Sequence, residues 1–146
     1  MNILLVEDSK ANQLLVQEAF KMALMQCRID IVEDGAEALQ YLKREAPYKK
    51  ALPPDIIILD LNLPKKNGRQ VLAELKKDEA LNHIPVVILS NSRSPKDVLA
   101  CYKLQASCYL SRPDRFSELV ETARSFKDFW GSKVLLSAHS KNTHVN

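Results

Sequence analysis

The fold is decided by the stretch Ile56-Ile57-Ile58-Leu59-Asp60-Leu61-Asn62-Leu63-Pro64. Its apolar run has no polar alternation, which is typical of a central strand buried on both faces of a parallel sheet. Asp60 follows at once, at the strand end where the binding crevice of such a sheet begins. Core packing does not explain a carboxylate at that position. The stretch therefore predicts a functional site as well as a strand.

A second apolar run ends in acidic residues in the same way. Ile3–Val6 is followed directly by Glu7 and Asp8. If the two runs pair as parallel strands, their carboxyl ends meet at one edge of the sheet, and the acidic residues become neighbours of Asp60. Asp8 alone could be no more than a helix cap. The joint placement favours a shared site.

Strands alternate with helices along the rest of the chain. The predicted strands are Ile3–Val6, Arg28–Val32, Ile56–Leu59, Pro85–Leu89 and Cys108–Leu110. The predicted helices begin after Ser9, at Gly35, after Gly68, at Pro95 and at about Asp114, and the last of them runs to Trp130. This alternation implies parallel pairing with right-handed crossovers. We therefore expect an α/β fold with a doubly wound five-stranded parallel sheet in the order 2-1-3-4-5.

Composition narrows the class of protein. The chain has 146 residues, is 46% hydrophobic and 27% charged, and carries a net charge of +3. These values fit one ordinary globular domain, and the scattered lysine pairs form no nucleic-acid stripe. No apolar stretch reaches the roughly 20 residues that span a membrane. Three cysteines without Cys-x-x-Cys spacing indicate reduced thiols in a cytoplasmic protein and disfavour zinc.

Clustered carboxylates need a partner for their charge. Either one pKa rises or a cation binds, and Mg²⁺ prefers oxygen ligands of this kind. We expect side-chain ligands from Asp8 and Asp60 and a third oxygen from the backbone carbonyl of Asn62. A metal-neutralised aspartate can attack phosphorus. Ser90 and Arg112 follow the ends of later strands, where they could bind phosphoryl oxygens.

A known family has this arrangement of residues. The residues that carry the resemblance are Glu7, Asp8, Asp60, Pro64, Gly68, Ser90, Tyr109, Arg112 and Pro113. Together they resemble a response-regulator receiver domain, which has a flavodoxin-like fold, over about residues 1–130. The stretch 60–68, the long loop before the third strand and the aromatic end Phe126–Trp130 resemble small single-domain regulators that partner cyanobacterial phytochrome histidine kinases.

The resemblance implies a function for each matching residue. Asp60 would accept a phosphoryl group from a kinase histidine. Asp8 would bind Mg²⁺ directly, and Glu7 would do so directly or through water. Ser90 would move toward the phosphoryl oxygen and Tyr109 would turn inward, which would switch the face built from helix 4, strand 5 and helix 5. The chain would then be a signalling protein and not an enzyme.

One position departs from the family pattern, because Arg112 stands where the family has lysine. Arginine keeps the charge but is planar and longer. It either still contacts the phosphoryl group, or fills the site and leaves a pseudo-receiver that only docks on a kinase. The intact metal and nucleophile positions favour phosphorylation. The resemblance also implies a cis Arg112–Pro113 bond.

Two other classes of protein on a similar sheet are disfavoured. An aspartate phosphatase is disfavoured because Asn62 replaces its second aspartate, and a flavodoxin is disfavoured because no phosphate loop follows the first strand.

The end of the chain predicts a surface for association. The last helix carries most of the phenylalanines and the one tryptophan, and exposed aromatic patches commonly mark interfaces. We expect a homodimer through helix 4, strand 5 and helix 5. Residues 131–146 would form a C-terminal extension, with Val134–Leu136 packing at the dimer seam and Ser137–Asn146 disordered. We expect no output domain and no contact with nucleic acid or membrane.

Overall fold

The computed structural model describes residues 1–137 and contains one parallel sheet with the strand order β2-β1-β3-β4-β5. The strands are β1 (Asn2–Val6), β2 (Arg28–Val32), β3 (Ile56–Leu59), β4 (Val86–Ser90) and β5 (Cys108–Ser111). The helices are α1 (Lys10–Met22), α2 (Gly35–Leu42), α3 (Gly68–Lys77), α4 (Pro95–Lys103) and α5 (Phe116–Trp130). The predicted doubly wound α/β fold and its strand order are confirmed.

The central strands are covered by helices on both faces, as their uninterrupted apolar runs predict. All of β3 is buried, because α2, α3 and α4 cover one face of the sheet while α1 and α5 cover the other. Val71 and Leu72 pack on the first face. Val16 and Phe126 pack on the second. This two-sided burial fixes where the strands end, and so where the acidic residues come together.

Local hydrogen bonds start the helices where the sequence places them. Ser9 caps α1, with its hydroxyl accepting from the backbone N–H of Asn12 at 3.2 Å. Asn67 and Gln70 form a reciprocal capping box at the start of α3. Each cap satisfies N–H groups that a helix leaves unpaired in its first turn.

Several boundaries differ from the predictions by one or two residues. Strand β4 begins at Val86 because Pro85 has no N–H for the ladder, although its carbonyl still accepts from Ile57. Strand β5 extends to Ser111. Helix α5 begins at Phe116, because Arg115 keeps an extended backbone as its N-cap.

The expected cis Arg112–Pro113 bond is wrong. This bond is trans, which is the favoured form of an X-Pro bond, and the chain has a cis bond at Ala46–Pro47.

The aromatic side chains at the end of α5 are only partly exposed, so the exposed patch is smaller than the sequence suggests. Phe126 is buried against Phe20, with ring centroids 5.3 Å apart, and Trp130 is half-buried beside it. Phe129 remains 55% exposed. Within 134–136, Leu135 is exposed and its two neighbours are half-buried. The disorder predicted for Ser137–Asn146 falls, apart from the half-buried Ser137, on residues 138–146, which lie outside the described residues.

Among residues 1–137, no helix has the length and apolar character needed to cross a membrane.

Candidate functional site

Strand pairing brings the acidic residues together at the carboxyl edge of the sheet. Val6 is in register with Leu59, so the residues that follow each strand are neighbours. The backbone N–H of Asp60 donates to the carbonyl of Val6 at 3.1 Å and extends the ladder by one bond. Carboxylate oxygens of Glu7, Asp8 and Asp60 all lie within 4.8 Å of one another. The meeting of these residues at the switch point is confirmed.

Asp60 belongs to a cluster of three carboxylates beside one guanidinium, so the cluster carries excess negative charge. Burial raises the pKa of Asp60 above the ordinary aspartate value. The backbone N–H of Asn62, 3.4 Å from Oδ1, and the charge of Arg112 oppose that rise, and the charge of Asp8 adds to it. An all-oxygen donor set that holds excess negative charge fits a divalent cation. The residues present therefore suit a metal.

Glu7 has a different environment from that of the other two carboxylates. It is 1% exposed, whereas Asp8 is exposed and Asp60 is half-buried. Its Oε2 accepts from the backbone N–H of Ser9 at 3.0 Å, and its Oε1 accepts from Nη2 of Arg112 at 2.6 Å. Burial raises the pKa of Glu7, and both of these donors oppose that rise. Both oxygens of the Glu7 side chain are thus already engaged within the protein.

Arg112 reaches the cluster from the end of β5. Its backbone N–H donates to the carbonyl of Ser90 at 2.7 Å, and its side chain is 8% exposed. The hydrogen bond of its guanidinium goes to Glu7, a partner that the sequence did not indicate. Its buried Nη1 has no hydrogen-bond partner among residues 1–137. One donor of Arg112 is therefore left for an incoming oxygen.

The two predicted switch residues lie on neighbouring strands and share a contact. Ser90 is the last residue of β4 and is fully buried, and its hydroxyl accepts from the backbone N–H of Ser92 at 3.1 Å. The hydroxyl of Tyr109 on β5 donates to the carbonyl of Ser92 at 2.8 Å. Both side chains thus contact the loop after β4. Their roles in switching stay predictions, as does metal binding by the carbonyl of Asn62.

Two residues that support the site were not among those predicted from the sequence. Gln13 is a buried polar residue on α1, and its side-chain amide donates to the carbonyl of Glu7 at 2.7 Å. A polar residue on a buried helix face was the available signal. Ser92 has no such signal, because nothing in its sequence neighbours indicates that it contacts both Ser90 and Tyr109.

Gly68 has a steric reason to be glycine. A Cβ there would clash with the carbonyl oxygen of Asp60 and stand 2.7 Å from the Cα of Leu61. The backbone N–H of Gly68 donates to the carbonyl of Leu61 at 2.9 Å. The start of α3 can therefore approach the backbone of Asp60 closely only without a side chain.

Fold and site together define a class of protein. A doubly wound sheet in the order 2-1-3-4-5 carries an acidic cluster at its switch point, with a serine on β4, a tyrosine on β5 and a basic residue directly after β5. That combination is the receiver class. The family model for the response regulator receiver domain matches residues 3–124, and the chain belongs to that family.

Particular relatives are similar over nearly their whole length. Response regulator Rcp1 of Synechocystis is 43% identical over 136 residues, which cover 93% of this chain and 92% of Rcp1. The probable methanogenesis regulatory protein FilR2 of Methanothrix harundinacea is 38% identical, over 88% of this chain and 82% of FilR2.

Solved structures agree with these sequence relatives. The Mn²⁺-bound form of Rcp1 superposes with a TM-score of 0.87 at 42% identity, covering 94% of this chain and 99% of that one. The phosphorylated cyanobacterial phytochrome response regulator RcpA superposes with a TM-score of 0.88 at 43% identity, covering 94% of this chain and 98% of that one. The chain is thus homologous to phytochrome response regulators, and nothing in these relatives supports the alternative of a pseudo-receiver.

Proposed function

We propose that this chain is a single-domain response regulator that accepts a phosphoryl group on Asp60 from a phytochrome-type histidine kinase in the cytoplasm. The observation that carries the proposal is the carboxylate cluster, in which the Asp60 side chain lies within reach of Glu7 and Asp8 at the open edge of the sheet. Similarity to Rcp1 and to phosphorylated RcpA supports both the reaction and the class of kinase.

The transfer is a displacement at phosphorus. A carboxylate oxygen of Asp60 attacks the phosphorus of a kinase phosphohistidine, the P–N bond breaks, and the histidine nitrogen keeps the electron pair. Asp8, Asp60 and the backbone carbonyl of Asn62 would hold Mg²⁺, and Glu7 would contribute directly or through water. When bound, Mg²⁺ supplies charge neutralisation between the attacking carboxylate and the phosphoryl oxygens. The Mn²⁺-bound form of Rcp1 supports a divalent cation here.

Arg112 takes the place of the family lysine in binding the product. Its Nη2 donates to Glu7, and its buried Nη1 has no hydrogen-bond partner within residues 1–137. A phosphoryl oxygen on Asp60 would satisfy that donor through a charge-assisted hydrogen bond. The Ser90 hydroxyl would bind a second phosphoryl oxygen. In this arrangement arginine retains the function of the lysine, although its shape differs.

The output would pass through the α4-β5-α5 face. Movement of Ser90 frees space into which Tyr109 turns, and the rotation changes the surface between α4 and α5. Leu99 and Tyr102 on α4 and Phe129 on α5 are exposed there, and they support a homodimer through this face. Residues 1–130 would form the receiver domain and residues 131–146 a C-terminal extension, and signalling would pass from the receiver domain to a partner protein.

A direct test uses a small phosphodonor. The chain is incubated with acetyl phosphate and Mg²⁺, and intact-mass spectrometry is followed by peptide mapping. We expect one phosphoryl group on Asp60, labile to acid and hydroxylamine and absent when EDTA replaces Mg²⁺. An unmodified chain, or a modification on another residue, would contradict the proposal. Asp8→Asn is the matched variant, because it keeps Asp60 while removing a proposed metal ligand, and we expect it to slow the reaction.

A further inference from the structure

Every polar group of Glu7 makes a hydrogen bond within the protein. Its backbone N–H donates to the carbonyl of Val32 at 3.0 Å, just past the paired residues of β1 and β2. Its side-chain oxygens accept from Ser9 at 3.0 Å and from Arg112 at 2.6 Å. Its carbonyl lies beyond the end of β1 and accepts from the side-chain amide of Gln13 at 2.7 Å. Glu7 is therefore a fixed point where the chain leaves the sheet.

Gln13 places a polar group on an otherwise apolar surface. It is 7% exposed and lies on the buried face of α1 with Val16 and Phe20. A buried amide lowers stability unless it is hydrogen-bonded. Its hydrogen bond crosses from α1 to the carbonyl of the residue directly before Asp8. The bond thus spans the turn that carries a proposed metal ligand.

This hydrogen bond restrains the backbone of Asp8. The carbonyl of Glu7 and the N–H of Asp8 belong to one planar peptide unit. A donor that holds the carbonyl fixes the rotation of that unit, and with it the direction in which the Asp8 side chain leaves the backbone. Asp8 itself is exposed, so packing contributes little to its position. The position of this carboxylate consequently depends on the backbone that Gln13 holds.

We infer that Gln13 is a positioning residue for Asp8 that makes the acidic cluster selective for Mg²⁺ over Ca²⁺, an inference that rests on the proposed function. Mg²⁺ requires near-ideal octahedral geometry at about 2.0–2.1 Å, whereas Ca²⁺ accepts about six to eight oxygens in flexible geometry. A carboxylate that is free to shift therefore weakens Mg²⁺ binding more than Ca²⁺ binding. Partners that orient a metal ligand contribute about 10-fold to 100-fold to metal affinity. Because Gln13 acts through the backbone, we expect the lower end of that range.

The test titrates Mg²⁺ and Ca²⁺ separately into the metal-free full chain, and ¹H–¹⁵N NMR spectra follow the backbone amides of residues 7–9 and 60–62. Gln13→Met keeps the length of the side chain and removes the donor. We expect its Mg²⁺ affinity to fall about tenfold and its Ca²⁺ affinity to fall less than about twofold. Gln13→Asn keeps an amide on a chain one methylene shorter, so the amide no longer reaches the carbonyl. This second variant should show the same loss of selectivity.

Two control variants separate positioning from packing. Val16→Ala opens a cavity on the same face of α1 and should lower the melting temperature while both cation affinities stay at their wild-type values. Gln17→Met makes the same chemical change one turn further along the helix, at a half-buried position, and should leave both affinities unchanged. In metal-free Gln13→Met the ¹⁵N resonance of Asp8 should also shift, because it reports the hydrogen bond of the preceding carbonyl. A merely structural role would lower the melting temperature of Gln13→Met and leave the selectivity as in wild type.

The possible failures are distinguishable. Wild type that binds Mg²⁺, with the same selectivity over Ca²⁺ in Gln13→Met and Gln13→Asn, would overturn the positioning role and leave the proposed function standing. An equal loss of selectivity in Val16→Ala or Gln17→Met would overturn it as well. Wild type that binds no Mg²⁺ at all would overturn the proposed function, and the positioning role with it.

Discussion

Glu7 and Arg112 form an ion pair that is almost sealed from water. Their side chains are 1% and 8% exposed, and Oε1 of Glu7 lies 2.6 Å from Nη2 of Arg112. The two residues are 105 positions apart in the sequence. Desolvation makes such a pair weak as a source of net stability, yet costly to break from one side. Its value here is positional, because it fixes the guanidinium beside the carboxylate cluster. Arginine at the lysine position thus has a defined partner before any phosphoryl group arrives.

Removing the arginine should therefore destabilise the fold. Arg112→Met leaves Glu7 buried without its main counter-ion, and we expect a loss of about 3 kcal/mol in the free energy of unfolding. Urea unfolding in EDTA measures it. Arg115→Met is the control, because that side chain is 81% exposed, and it should change stability by less than about 0.5 kcal/mol. A loss no larger than the control's would show that the pair does not hold Arg112.

Asp60 should make metal-free stability depend on pH. Burial raises its pKa in the folded chain, so between the ordinary aspartate value and the raised value the folded state binds more protons than the unfolded state. Stability contributed by Asp60 consequently falls as pH rises through that window, and the penalty is complete above it. Asp60→Asn has no such penalty. It should be more stable than wild type at neutral pH in EDTA.

The difference should shrink toward zero in acid, below the ordinary aspartate pKa. Urea unfolding across pH measures it, with Asp114→Asn at an exposed position as the control. A wild type more stable than Asp60→Asn at neutral pH in EDTA would contradict the account.

Helix α3 can lie close to the end of β3 because its first residue, Gly68, has no side chain. A Cβ at Gly68 would clash with the carbonyl oxygen of Asp60, the proposed phosphoacceptor. Gly68→Ala must push α3 away from the end of β3, at a cost of about 2 kcal/mol. We expect slower acetyl phosphate labelling as well as lower stability. Lys77→Ala, at the exposed end of the same helix, should change neither.

Strands were predictable where burial dictates composition. Ile56–Leu59 is found at its predicted limits because a fully buried strand admits no polar residue. The register of β1 and β3 followed from that, and it brought Glu7 and Asp60 together. The sequence could not indicate that the guanidinium of Arg112 would form its hydrogen bond with Glu7, because this contact depends on how far the side chain reaches across the strands. The contacts of Ser92 depend on loop geometry in the same way.

At the scale of the whole molecule, the proposed homodimer through α4, β5 and α5 can be tested against a second exposed leucine on α1. Leu99 on α4 is 55% exposed, close to the 58% of Leu14 on α1. If the dimer forms through α4, β5 and α5, Leu99→Arg should give a monomer by light scattering at micromolar concentration, because a charge then enters an apolar seam. Leu14→Arg should leave the dimer intact, with the oligomeric mass of wild type in the same measurement. A monomeric wild type, with or without beryllofluoride, would contradict the dimer.

The proposed phosphorylation depends on Asp60 as the phosphoacceptor. The most direct measurement is phosphotransfer from a radiolabelled phytochrome histidine kinase to wild type, Asp60→Asn and Arg112→Lys, in Mg²⁺. We predict an acid-labile label on wild type and on Arg112→Lys, and none on Asp60→Asn. Equal labelling of Asp60→Asn and wild type would contradict the account.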